Sequence, residues 1–189
     1  SQTNACFVHL GRKLNQLGAS PIETSQCEQL LCEAMDLRNK MVGYFYSPSG
    51  EASKFLEGLT NLKGNLRKFN DWLSAKSDVT FFVGSAASAC DFHIWELLDQ
   101  LNSMADFYSV PSPVSNFPKL VEFHSLFKAL PNNAKYFATT KLCNLPANNL
   151  MAKGWGATPS GHSWDDYKEK NGLAVADAAR PWNDSNGTY

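Results

Sequence analysis

Apolar residues recur at helical spacing along most of the chain. Ile94, Leu98, Leu101 and Ala105 lie four and three residues apart, and Phe92, Trp95 and Leu97 widen the stripe. This pattern predicts an amphipathic helix with a broad buried face. The apolar run Phe81-Phe82-Val83 ends at Gly84, and Ser88-x-x-Asp91 then opens the helix. The Asp91 backbone N–H can donate to the Ser88 hydroxyl, and the Ser88 N–H can donate back to the Asp91 carboxylate. The negative charge also suits the positive end of the helix. Losing such a cap typically costs ~1 kcal/mol.

Four further segments carry the same period. Phe7, Leu10, Leu14 and Leu17 make a short helix face that ends at Gly18 and Pro21. From Pro21 to Ser47 a long helix is expected, with Leu31, Ala34, Met35, Arg38, Met41, Val42 and Phe45 on one face. Pro48-Ser49-Gly50 reads as a loop. Phe55, Leu59, Leu62, Leu66, Phe69 and Leu73 then predict a single second long helix from Ala52 to Lys76. After the break at Pro111-Ser112-Pro113, Pro118 can open a helix with Leu120, Phe123, Phe127 and Leu130 on its core face. Asn132 can cap a short one through about Thr140. All of these segments read as helices.

The 189 residues suffice for one sizeable core, with 43% apolar and 19% charged positions. A net charge of −1 gives no support for nucleic acid or an anionic membrane as partner. No apolar run approaches the ~20 residues that span a bilayer. The chain opens on Ser1 rather than Met, from which an upstream portion is expected; cytoplasm and organelle interior both stay open as compartments. Cys6, Cys27, Cys32, Cys90 and Cys143 are scattered, which suits reduced, mostly buried thiols. Cys6-x-x-His9 and Cys90-x-x-His93 could together hold zinc if their helices met. The second pair falls on an apolar core helix, so coincidence is the expectation and no metal is assigned.

Two stretches resemble a known family. Phe82-Val83-Gly84-x-x-x-Ser88-x-x-Asp91-Phe92 resembles the capping box and buried core helix of the glutathione transferase C-terminal domain. Gln2-Thr3-Asn4-Ala5, followed by His9-Leu10-Gly11-Arg12 and Leu17-Gly18, resembles the Gln-Ser-Asn-Ala motif and following helix of the mu and pi classes. Met35-Asp36-Leu37-Arg38, Phe117-Pro118-Lys119-Leu120 and Leu145-Pro146-x-Asn148 extend the similarity in order to about Asn148. The resemblance implies residues 1–20 as the last helix of a thioredoxin-like domain. It implies an all-α class, with 21–150 as a glutathione transferase C-terminal-like helical bundle.

It also implies site residues. Gln2 and Thr3 would hold the γ-glutamyl part of glutathione, the hydroxyl taking the carboxylate at a helix N-terminus. Asp36 would reach across a dimer to the same ligand, and Tyr46 would line the electrophile pocket. Without a thioredoxin-like portion to activate the thiol, glutathione is expected to bind poorly. The leading expectation is therefore a non-catalytic module for protein–protein interaction, an accessory subunit of a larger assembly. The alternative is a glutathione transferase whose N-terminal part lies outside these residues.

Beyond Gly154, Gly, Pro, Ser, Asp and Asn become frequent around Trp155, Trp164, Tyr167, Trp182 and Tyr189. Residues 151–189 are expected to form an extended tail, and a protein partner is expected on the helical face or on this tail through Trp155, Trp164 and Trp182. Asn183-Asp184-Ser185 and Asn186-Gly187-Thr188 match glycosylation acceptors, read here as chance matches in a polar tail.

Overall fold

The computed structural model describes residues 2–139 and 145–172. In chain order the elements are α1 (Thr3–Lys13), α2 (Pro21–Tyr46), α3 (Ala52–Gly58) and α4 (Asn65–Ser74). They continue with α5 (Ala89–Tyr108), a 3-10 turn at Pro113–Asn116, α6 (Pro118–Ala129), α7 (Pro131–Phe137) and α8 (Trp164–Asn171). Among the described residues there is no strand, so the molecule is all-α.

Helix α5 is the axle. Ile94, Leu98, Leu101 and Met104 are wholly buried, and α1, α2, α3 and α6 all pack against it. The Ser88–Asp91 capping box at its start is in place. Asp91 accepts from the Ser88 N–H at 2.8 Å, the Ser88 hydroxyl at 2.7 Å and the Phe82 N–H at 2.7 Å. One carboxylate thus caps the helix and anchors the loop before it. Phe82, held this way, packs edge-on against Phe69 of α4 and Phe123 of α6.

Helix α2 begins with a second device that the periodicity did not reveal. The Ser20 hydroxyl accepts from the Glu23 N–H at 3.2 Å, and Glu23 accepts from the Ala19 N–H at 2.6 Å. Pro21 occupies the first turn, where its missing N–H costs nothing. The buried stripe runs through Leu30, Leu31, Ala34, Leu37, Met41 and Phe45. Met35, Arg38 and Val42, expected on it, are only half-buried at its edge.

The single helix expected from Ala52 to Lys76 is two. Helix α3 stops at Gly58 and α4 starts at Asn65. Between them the Lys63 N–H donates to the Asn61 side chain at 2.8 Å, and the Gly64 N–H to the Asn61 carbonyl at 2.8 Å. An Asn that bonds the backbone two residues on makes a turn in place of a helical one. Leu62, in phase with the stripe, is therefore on the turn's outside at 76% exposure. The short helix after α6 also differs. It starts at Pro131, and Asn132 lies inside it rather than at its cap.

Residues 151–172 lie against the helices. The N–H groups of Lys153 and Gly154 both donate to the Phe45 carbonyl at the end of α2, at 2.8 and 2.7 Å. The Tyr108 hydroxyl donates to the Gly154 carbonyl. Trp155 packs on Phe45 at 5.5 Å between ring centres, and Trp164 stacks on Tyr167 within α8. Trp155 and Trp164 are 5% and 9% exposed. These two tryptophans, expected on a partner's surface, instead belong to this molecule's own core, because the Tyr108–Phe45 end of the bundle offers the apolar surface they need. Trp182, both acceptor triplets and Cys143 lie outside the described residues.

Candidate functional site

A cavity of about 210 Å³ opens where α1, α2 and α5 meet the segment around Ala147. Thr3 enters its lining from the first turn of α1. Arg38 comes from the edge of α2, and His93, Glu96 and Gln100 come from α5. The i, i+3, i+7 spacing of the last three keeps them on one helix face. Asn148 closes the far wall. It is fixed by its own N–H donating to the Gly156 carbonyl at 2.8 Å and its amide to the Trp155 carbonyl at 3.1 Å.

The polar groups here are incompletely matched. His93 is 1% exposed and its Nδ1 finds no partner among the described residues. Burial, with the Arg38 charge nearby, pushes its imidazole down to about 4, so the ring is neutral at physiological pH. Phe7 of α1 stacks on it at 4.7 Å. Arg38 forms no salt bridge among the described residues. Glu96 accepts from the Gln100 amide at 3.0 Å.

The expected site residues divide. Thr3 lines the cavity, and exposed Gln2 sits beside it as the N-cap of α1 without a side-chain bond to the helix. Asn4, next in the first turn, donates to the Leu31 carbonyl of α2 at 3.2 Å, which sets the angle at which α1 meets the bundle. Asp36 is exposed and is not part of the lining. The Tyr46 hydroxyl accepts from the Asn149 N–H at 3.3 Å, one residue beyond the cavity wall. Ser88 and Asp91 are structural. Cys6 and His9 are exposed on α1, whereas Cys90 and His93 are buried on α5. Among the described residues no group of three or more His, Cys, Asp or Glu is placed to hold a metal.

Buried thiols form a second cluster. Cys27 is drawn down to about 7, chiefly by hydrogen bonding with Cys90, while burial pushes Cys90 up. The Ser88 hydroxyl touches the Cys90 sulfur at 3.2 Å.

The arrangement is a central capped helix, a long helix beside it, and a polar cleft where a preceding short helix docks. The family model "Glutathione S-transferase, C-terminal domain" matches residues 35–140, more than half of the chain. The chain belongs to the glutathione S-transferase family. It is 31% identical to human glutathione S-transferase Mu 3 over 159 residues, 84% of this chain and 66% of that protein. It is 30% identical to the class-mu 26 kDa isozyme 51 of Fasciola hepatica, over 85% of this chain and 70% of that protein. The solved pi-class glutathione S-transferase of Onchocerca volvulus superposes with a TM-score of 0.64 at 25% identity, covering 80% of this chain and 70% of that one. The chain thus spans about two thirds of the length of the curated relatives it matches.

Proposed function

We propose that this chain supplies the helical part of a glutathione transferase. The carrying observation is the start of α1. Among the described residues Gln2 gives no side-chain cap and no acidic residue stands in the first turn, which supports an anion at the leading N–H groups and the Thr3 hydroxyl. The positive end of a helix suits a carboxylate. In this reading Gln2 and Thr3 hold the γ-glutamyl end of glutathione. Asp36, exposed on α2, reaches toward the ligand of a second subunit. Tyr46 lines the electrophile pocket, and the group that activates the thiol comes from beyond the helical domain.

Isothermal titration of this chain with glutathione tests the reading. Saturable binding in the millimolar range is expected, weakened about tenfold or more by Thr3→Ala, equivalent to ~1.4 kcal/mol. Absence of heat up to millimolar ligand would overturn it and favour the helical domain as a non-catalytic interaction module. Asp36→Asn should leave binding to the isolated monomer unchanged and matter only in a dimer.

A further inference from the structure

We infer that His93 is a positioning residue for the start of α1: its ring, stacked on Phe7, holds the turn that carries Gln2 and Thr3. This role rests on the reading of Gln2 and Thr3 as the anion site, and His93 is the group that sets their place. Helix α1 has 11 residues. A helix that short is marginal in water, so contacts with the bundle must hold it. Those contacts are few. Of its residues only Gly11 is buried, and a Cβ added there would stand 3.4 Å from the Ala89 side chain of α5. Just beyond the helix, the Ala89 N–H donates to the Gln16 carbonyl at 2.7 Å. Both contacts fix the far end, and Val8 packs on the core midway. Toward the near end the anchors are Asn4, which donates to the Leu31 carbonyl of α2 at 3.2 Å, and Phe7, which lies on His93.

The stack suits placement rather than charge. The two rings lie 4.7 Å apart and 16° from parallel. Burial keeps the imidazole neutral at physiological pH. Its Nδ1 has no hydrogen-bond partner among the described residues, so His93 serves α1 through its flat face. Aromatic pairs hold a preferred offset and tilt, which an aliphatic contact does not impose. Phe7 lies four residues after Thr3, so the stack sits one turn beneath the Thr3 hydroxyl. Thr3 and His93 line the same cavity. A first turn that is docked only part of the time binds its ligand more weakly in proportion.

Calorimetric titration with glutathione is paired with amide hydrogen exchange at Cys6. The Cys6 N–H donates to the Gln2 carbonyl at 3.1 Å and so reports the first turn. His93→Leu keeps an apolar side chain in place but removes the stack. It should weaken glutathione binding and speed Cys6 exchange, each by about fivefold or more. His93→Phe restores a flat ring and should return both to within about twofold of wild type. Phe7→Leu removes the same stack from a half-buried position, and should reproduce His93→Leu even if that variant folds poorly. Leu73→Ala, a buried truncation in α4, should leave both readouts unchanged. Wild-type values in His93→Leu and Phe7→Leu, no rescue by His93→Phe, or an equal loss in Leu73→Ala would overturn the inference. Wild-type protein that binds no glutathione would sink the transferase reading alone. Cys6 exchange across the same variants would then still decide whether His93 places α1.

Discussion

At the scale of single residues, Asp91 concentrates the most chemistry. It is wholly buried and accepts from two backbone N–H groups and one hydroxyl. Asp91→Ala would orphan the Phe82 and Ser88 N–H groups, at roughly 1–3 kcal/mol each. A loss of about 2–6 kcal/mol in urea unfolding is expected. Burial also raises the carboxyl to about 6, against 3.8 for a free side chain. The folded state therefore holds its proton where the unfolded chain has released it. The stability this contributes is complete below about pH 4 and is lost as pH rises through about 6. Two pK units correspond to about 3 kcal/mol. The difference in unfolding free energy between wild type and Asp91→Asn should fall by about that amount from pH 4 to 6.5. A flat difference would mean the carboxyl is ionised throughout. The sequence revealed Asp91 as a cap but not its third donor, because Phe82 reaches it through a loop whose course no local pattern encodes.

At the scale of elements, the central helix and the long helix α2 were legible because both have uninterrupted stripes and recognisable starts. The break between α3 and α4 was not, since Leu62 stays in phase across it and only the Asn61 turn betrays it. Leu62→Glu should accordingly change stability by no more than about 0.5 kcal/mol, as at other exposed positions. In a continuous helix the same change would bury a charge. The loop before α5 carries the opposite sensitivity. Gly84 has φ +60°, and an added Cβ would stand 3.3 Å from the Glu23 carboxylate that caps α2. Gly84→Ala should cost about 1–2 kcal/mol in backbone conformation alone, visible as a lower Tm. The polar cleft was the least legible part. Thr3 was marked by its motif, but His93 and Glu96 look like ordinary helix residues until three elements converge on them.

At the scale of the whole molecule, the buried residues from Leu17 to Trp164 form one connected cluster. Residues 152–164 supply four of its members, Ala152, Trp155, Ala157 and Trp164. A Gly- and Ser-rich composition hid this, since burial of an isolated tryptophan depends on a surface made elsewhere in the chain. Trp155→Ala should cost about 3–5 kcal/mol, the range for large aromatic truncations in a core. Thermal unfolding followed by tryptophan fluorescence and by far-ultraviolet circular dichroism should give coincident transitions. A separate early fluorescence change would mean that the segment after residue 145 melts on its own.

The clasp of Lys153 and Gly154 on the Phe45 carbonyl has a consequence for how the molecule is made. A ribosome delivers the chain from its amino end. Helix α2 emerges before α5, yet the carbonyl of its penultimate residue, Phe45, receives its partners only after more than a hundred further residues have followed. The wall formed by Ala147 and Asn148 arrives at the same late moment. A nascent chain can therefore assemble the α2–α5 axle well before its cleft is closed.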